Sequence, residues 1–156
     1  MTYILSGDGA EGCIFCSKPR ESRDVDNGIL FRGHTCFVIL NAYPYNPGHL
    51  MVVPYHHAGS LTDLGEGELA ELMVVTKQCT AILVEAMSPD GFNVGINQGR
   101  PAGAGITDHI HQHLVPRWAG DTNFMTTVST TKVLPEMVVE TYQKLAPLFQ
   151  KRCDDR

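Results

Sequence analysis

The segment Asp108-His109-Ile110-His111-Gln112-His113-Leu114-Val115-Pro116-Arg117-Trp118 constrains the fold more than any other. Three histidines alternate with Ile110, Gln112 and Leu114. Alternation is the period of a β-strand, whose successive side chains point to opposite faces. On a strand, His109, His111 and His113 project from one face at intervals of roughly 6.5 Å. On a helix, residues two apart point about 200° apart and do not converge. A lone histidine on a strand is usually structural. Three in register are another matter, because each buried imidazole needs partners for two ring nitrogens. The segment reads as a functional strand.

With 156 residues, the chain reads as one domain, 1–156, large enough for a core without disulfide support. An apolar content of 43% and a charged content of 19% fit a soluble globular protein. The net charge of −5, with no run of Lys or Arg, argues against nonspecific nucleic-acid binding. Phosphates can still be held locally by amides, imidazoles and carboxamides. The first residues lack a basic segment followed by an apolar one, and no stretch approaches a membrane span, so a cytoplasmic location without a membrane partner is expected. Five cysteines are an odd number, and Cys36 and Cys79 sit in apolar contexts, which argues against a disulfide framework.

Along the chain, 1–12 is polar and glycine-rich and reads as a loose N-terminal arm. Cys13-Ile14-Phe15-Cys16 is half of a tetrahedral metal site, a redox pair, or two buried thiols. No thioredoxin-like βαβ pattern surrounds it, and the missing half of a metal site would have to be histidines, which this chain has to spare. Residues 17–27 form a charged surface loop. Two β-rich runs, 28–32 and 35–41, flank Gly33-His34 as a hairpin connection, with His34 a turn residue. Two prolines and a glycine force turns over 42–48, and 49–54 is a further strand. His49 opens that strand directly after Pro-Gly and is a site candidate; His56 and His57 follow in a loop. Asp63, with Glu66 three residues on, reads as an N-cap. Leu69, Leu72, Met73, Thr76, Cys79, Thr80 and Leu83 then recur at helical spacing, predicting a helix over about 66–87. Residues 92–98 alternate as a strand. The glycine-rich turn 99–105 lacks the lysine and hydroxyl of a Walker A loop. A C-terminal helix is expected over about 135–150, within a helix and tail spanning 132–156.

These motifs resemble one family. His109-Ile110-His111-Gln112-His113-Leu114-Val115 resembles the signature of the histidine triad (HIT) superfamily of nucleotidyl hydrolases and transferases. The run 41–50, from Asn41 to Leu50, looks like that family's nucleoside-binding turn and strand, and 93–99 looks like the strand and turn before its triad. Pro116-Arg117-Trp118 with Gly120-Asp121-Thr122-Asn123-Phe124 is similar to the bacterial diadenosine tetraphosphate phosphorylase branch. The resemblance runs from Cys13 to about Phe124. It implies an α+β fold, with a five-stranded antiparallel sheet, one long helix packed on it and a C-terminal helix. Five strand-like runs and two helices along the chain agree with that count.

By the same resemblance, His111 matches the nucleophile that takes up the nucleotidyl group as a phosphoramidate. The chemistry suits an imidazole, which can attack phosphorus and then leave, dividing one hard step into two. His113 and His49 match positions that hydrogen-bond the phosphates, Asn41 the residue that holds the ribose, and Gln98 a phosphate-side amide. Leu40, Ile39 and Phe37 stand either as walls for the base or as ordinary core strand. Cys13, Cys16, His57 and His109 match the ligands of family members that carry a structural zinc; the rival is a pair of reduced thiols, with His109 bonded to a neighbouring carbonyl. Two thiolates and two imidazoles make a closed tetrahedral site. Many family hydrolases carry Gly-Gln-Ser or Gly-Gln-Thr before the triad, where this chain has Ala104-Gly105-Ile106, with Thr107 one residue away. That departure favours phosphorolysis, with a purine dinucleoside polyphosphate and inorganic phosphate as partners, over a dinucleoside polyphosphate or phosphoramidate hydrolase. A nucleotide-binding protein with negligible turnover is the third reading. The family also implies a homodimer or higher homo-oligomer.

Overall fold

The computed structural model describes residues 12–121 and 136–154, so all but the last residue of the arm expected over 1–12, and the start of the C-terminal helix expected at about Pro135, lie outside the described residues. Five strands are described: β1 (Ile29–Arg32), β2 (Cys36–Leu40), β3 (Leu50–Pro54), β4 (Gly91–Ile96) and β5 (Gln112–Arg117). They form one sheet in the order β1-β2-β3-β5-β4, every pairing antiparallel, which is the α+β architecture expected. Directly opposed residues share a face, so the register sorts the side chains. Cys36, Val38, Leu40, Leu50, Val52 and Leu114 meet one cluster, while Phe37, Ile39, Met51 and Val53 meet another on the reverse side.

The first face is covered by α3 (Glu66–Met87), whose buried stripe is Leu72, Val75, Thr76, Cys79, Ile82 and Leu83. The helix bounds match the sequence expectation, but its cap does not. Gly65 is the N-cap, and Glu68 accepts a 2.8 Å bond from the Gly65 N–H; Asp63 instead lies in a 3-10 turn, Leu61–Asp63, capped by Ser60. The local signal was displaced by two residues because that extra turn precedes the helix. Met73, expected in the apolar stripe, is 58% exposed. The C-terminal helix α4 (Val138–Asp154) adds Leu145 and Phe149 to the same core, and Tyr142 donates its hydroxyl to the Ile29 carbonyl. Burying each such aliphatic or aromatic side chain stabilises by about 1.5–3 kcal/mol. Among the described residues, no helix is long and apolar enough to cross a membrane.

Two short helices are present: α1 (Ile14–Ser17) on the Cys-x-x-Cys run, and α2 (Asp24–Asn27) within the stretch 17–27 expected to be a loop. Through α1, Cys13, Phe15 and Cys16 cover the reverse face of the sheet. Two local devices hold the strands in place. Glu71 of α3 accepts bonds from the N–H groups of His34 and Thr35 and from the Thr35 hydroxyl, clamping the β1–β2 turn. Gly48, at φ +76°, leads into β3 where any Cβ would meet the Met87 sulfur at 2.7 Å.

Strand β5 opens at Gln112, later than the alternation suggested. Its ladder to β3 ends at Val52↔Gln112 and its ladder to β4 at Ile96↔Gln112, so His109 and His111 have no strand neighbour among the described residues. Ile110 N–H donates instead to the Ala58 carbonyl at 2.7 Å. Gln112 points to the helix side, donating to the Thr76 hydroxyl at 3.0 Å.

Candidate active site and metal centre

His49, His109 and His111 are each at least 95% buried, with exposures of 1%, 1% and 5%. Phe15 packs beneath the last two, its ring centroid 5.4 Å from His109 and 5.0 Å from His111. The hydrogen-bond partners then fix each tautomer. His111 Nδ1 lies 2.8 Å from the His109 carbonyl oxygen, which can only accept. Nδ1 therefore bears the proton, and Nε2 keeps a bare lone pair. Burial lowers the His111 pKa, against the carbonyl bond that raises it, so the ring is neutral at pH 7.

A second chain of bonds sets His113. The Tyr45 N–H donates to His49 Nδ1 at 3.0 Å, which puts the His49 proton on Nε2. That proton points at His113 Nδ1, also 3.0 Å away, so neutral His113 carries its own proton on Nε2. Burial holds His113 down to about 4, with neighbouring His111 adding to the effect. The site thus sets an unprotonated Nε2 on His111 beside a donor Nε2–H on His113, their ring centroids 4.9 Å apart. That is a nucleophile with a hydrogen-bond donor next to it. Both nitrogens of His49 are engaged within the protein, so this residue bears on a ligand through His113 and not directly. Tyr45, which also stacks on His49 at 5.1 Å, was missed in the sequence because aromatic residues in a proline-rich turn are ordinary.

On the other side of His111, His109 donates Nε2–H to the Pro54 carbonyl at 2.9 Å, turning its Nδ1 lone pair toward Cys13, Cys16 and His57. The bond to a neighbouring carbonyl and the metal-type cluster are therefore compatible, since they use different ring nitrogens. Distances are 3.2 Å for Cys13–His109, 3.6 Å for Cys16–His109, 3.4 Å for Cys16–His57 and 3.2 Å for His57–His109. A tetrahedral zinc with bonds of about 2.05 Å to nitrogen and 2.3 Å to sulfur has edges of about 3.4–3.8 Å; these four separations are close to that, and all four ligand atoms lie within 4.8 Å of one another. The carbonyl behind His109 is the usual outer support of a metal-bound imidazole. Burial and adjacent Cys13 push the Cys16 thiol up to about 11, a preference that a bound cation reverses. Cys13, Cys16, Cys36 and Cys79 are free thiols.

The remaining expected residues are spread around this centre. Asn41 accepts the Tyr43 N–H on its side-chain oxygen, capping the turn, and its amide nitrogen lies 3.4 and 3.5 Å from the two nitrogens of His49. Gln98 accepts the Leu61 N–H at 3.1 Å and ties the loop before α3 to the end of β4. Leu40 lies in the helix-side core, away from the histidine face; Phe37 and Ile39 occupy the histidine side, because strand parity puts odd positions of β2 there. A cavity of about 380 Å³ opens beside His113 and runs along β5 to Arg117, with Tyr45, Asn46, Asn93 and Val115 in its walls. Asp121 organises its far end, accepting from Arg117 Nε at 2.6 Å, Arg117 Nη2 at 2.7 Å and Asn46 at 2.7 Å. The signal for this was the Arg-x-x-x-Asp spacing after the triad, which no local rule singles out.

Comparison with known proteins places the chain in a family. The chain is 45% identical over 123 residues to the AP-4-A phosphorylase of Mycobacterium tuberculosis, covering 79% of this chain and 63% of that protein. It thus spans less than two thirds of the length of that relative. It is 29% identical over 97 residues to the bis(5′-nucleosyl)-tetraphosphatase (asymmetrical) of Schizosaccharomyces pombe, over 62% of this chain and 53% of that one. The fold matches a crystal structure described as a Zn-bound histidine triad family protein from Mycobacterium smegmatis, with a TM-score of 0.74, 27% identity and coverage of 95% and 100% of the two chains. Residues 22–120 match the HIT domain. With its sheet, its histidine strand and this match in agreement, the chain belongs to the HIT domain family, the histidine triad proteins.

Proposed function

We propose that the protein is a nucleotidyltransferase that cleaves diadenosine tetraphosphate, or a related dinucleoside polyphosphate, by phosphorolysis through a nucleotidyl-His111 intermediate. The carrying observation is the His111 tautomer, fixed by the His109 carbonyl, which leaves Nε2 bare in a neutral ring. Nε2 attacks the phosphorus that bears one adenosine, and a phosphoramidate bond forms. The bond from that phosphorus to the bridging oxygen breaks, and the oxygen departs with the electron pair as part of ATP. Inorganic phosphate then attacks the same phosphorus, releasing ADP and restoring His111. His113 Nε2–H donates to an oxygen of the transferring phosphoryl group in both steps. Such a positioned donor stabilises developing charge without reorganising at the moment of reaction. Asn41 holds the ribose through its amide nitrogen, and Gln98 sits on the phosphate side.

Zinc is held by Cys13, Cys16, His57 and His109 in this reading. The donor set and its spacing fit, and four protein ligands close the coordination sphere, so the metal supplies cross-linking. Its chemical effect is indirect: His109 stays fixed, and with it the carbonyl that sets the His111 tautomer. We also propose a homodimer through the β4 edge and α3.

Incubation with diadenosine tetraphosphate, with and without inorganic phosphate, tests the reaction. ATP plus ADP formed only with phosphate supports it. AMP plus ATP formed without phosphate replaces it with hydrolysis, and no turnover of any nucleotide leaves a binding protein.

A further inference from the structure

The cavity beside His113 has a chemical character of its own. It starts at the imidazole that faces the phosphates in the proposed reaction and extends roughly 13 Å along β5, four residues of strand. Its volume of about 380 Å³ falls in the range of small-molecule sites. The Arg117 guanidinium at its far end is balanced by the Asp121 carboxylate through two bonds of 2.6 and 2.7 Å. The cavity is therefore poorly suited to a phosphate, and suits an uncharged group.

Two carboxamides in its lining are locked in orientation by their other partners. Asn46 is 6% exposed, and its amide nitrogen donates to the Pro116 carbonyl at 2.9 Å and to Asp121 at 2.7 Å. What Asn46 can offer a ligand is its oxygen, an acceptor. Asn93 is the converse: its oxygen accepts from Arg117 Nη1 at 2.7 Å, so it offers its amide nitrogen, a donor. Neither carboxamide can flip, since a carboxylate and a carbonyl require a donor at the first and a guanidinium requires an acceptor at the second. One fixed acceptor and one fixed donor, beside the Tyr45 ring and the Val115 side chain, complement a flat base carrying an amino group beside a ring nitrogen.

We propose that this cavity holds the second nucleoside of the dinucleotide, the half that departs, with its adenine amino group donating to Asn46 Oδ1 and a ring nitrogen accepting from Asn93 Nδ2. This rests on the nucleotidyl-transfer reading above and names what lies beyond the reacting phosphate. It predicts a preference for a substrate with a nucleoside at both ends.

Adenosine 5′-tetraphosphate is the probe, since it keeps one adenosine and the phosphate chain and lacks the second nucleoside. The ratio of kcat/KM for diadenosine tetraphosphate to kcat/KM for adenosine 5′-tetraphosphate is measured with inorganic phosphate present. In the wild type the ratio is expected to be about tenfold or more. Asn93→Ala lowers it about threefold to tenfold, the value of one neutral hydrogen bond. Asn93→Asp, which turns a donor into an acceptor, lowers it at least as far. Asn93 is exposed on an edge strand, so both variants should fold, with thermal unfolding as the control. A wild-type ratio near one, or a ratio that neither variant changes, overturns the inference while leaving the transfer reading intact. Failure to turn over either substrate removes the transfer reading itself, and the inference with it.

Discussion

The main-chain carbonyl of His109 decides where the proton of His111 sits, and the Tyr45 N–H decides the same for His49 and His113. Roles separate accordingly along one run of residues. In the proposed reaction His111→Asn removes the attacking atom, so nucleotide affinity by calorimetry should stay near normal while turnover falls by orders of magnitude. His113→Asn removes a donor to the transferring group and should cost on the order of 10²–10³ in kcat. His49→Asn should resemble His113→Asn, since it acts through that ring, and should be the milder of the two. His56, exposed and paired with Glu68, should be silent when changed to Asn. If His111→Asn kept more activity than His113→Asn, the assignment along this strand would be wrong.

At the scale of elements, the contact between α3 and the β1–β2 turn rests on one carboxylate. Burial raises the Glu71 pKa, but the Thr35 hydroxyl and the N–H groups of His34 and Thr35 together outweigh it, and the value lies below the usual 4.5. A carboxyl lowered on folding contributes stability above its unfolded value and loses it as pH falls through its folded value. Glu71→Gln keeps the shape and loses the charge, and should destabilise by about 1–2 kcal/mol at pH 7. That corresponds to a Tm fall of roughly 2–8 °C for a domain of this size. In thermal unfolding the variant and wild type should converge as pH falls through the lowered value of Glu71 in the folded state, because the wild-type carboxylate is then protonated. A Tm difference independent of pH would mean that packing, not charge, holds this turn.

Across the whole molecule, the Cys/His cluster joins α1, the loop after β3 and the residues leading into β5, three regions far apart in sequence. Metal analysis should find one zinc per chain, and Cys16→Ser should lose both the metal and thermal stability. Because four ligands close the site, a chelator should inactivate at the pace of unfolding and not at once. A metal-free protein of equal stability would refute this. Strand β4 is a sheet edge, with Val94 49% exposed on it, and α3 exposes Met73 at 58%. An open edge beside exposed apolar side chains favours pairing with a second copy. Sedimentation at micromolar concentration should therefore show a dimer that Val94→Lys weakens, and a wild-type monomer would rule the pairing out.

The sequence by itself determined the elements and their faces. Strand alternation and the spacing of Leu72, Thr76, Cys79 and Leu83 are short-range properties, set by which side of one element a residue occupies, so the five strands and the long helix were legible. The triad and the Cys-x-x-Cys were legible as candidates for the same reason. The Asp63 cap failed because three residues of 3-10 turn are energetically close to helix and leave no distinct pattern. Leu40 was ambiguous because both faces of β2 are buried, so apolarity marks neither. What only the tertiary structure decided is which atom of each side chain faces which partner. Cys13 reaches His109 across 96 residues and His49 reaches His113 across 64, and no local rule couples such positions. The proton positions on the three rings, the orientation of Asn46 and Asn93 and the balance of Arg117 by Asp121 each depend on a third group brought in by the fold. A hydrogen bond acts over about 3 Å, and its donor and acceptor are assigned only when that neighbour is in place.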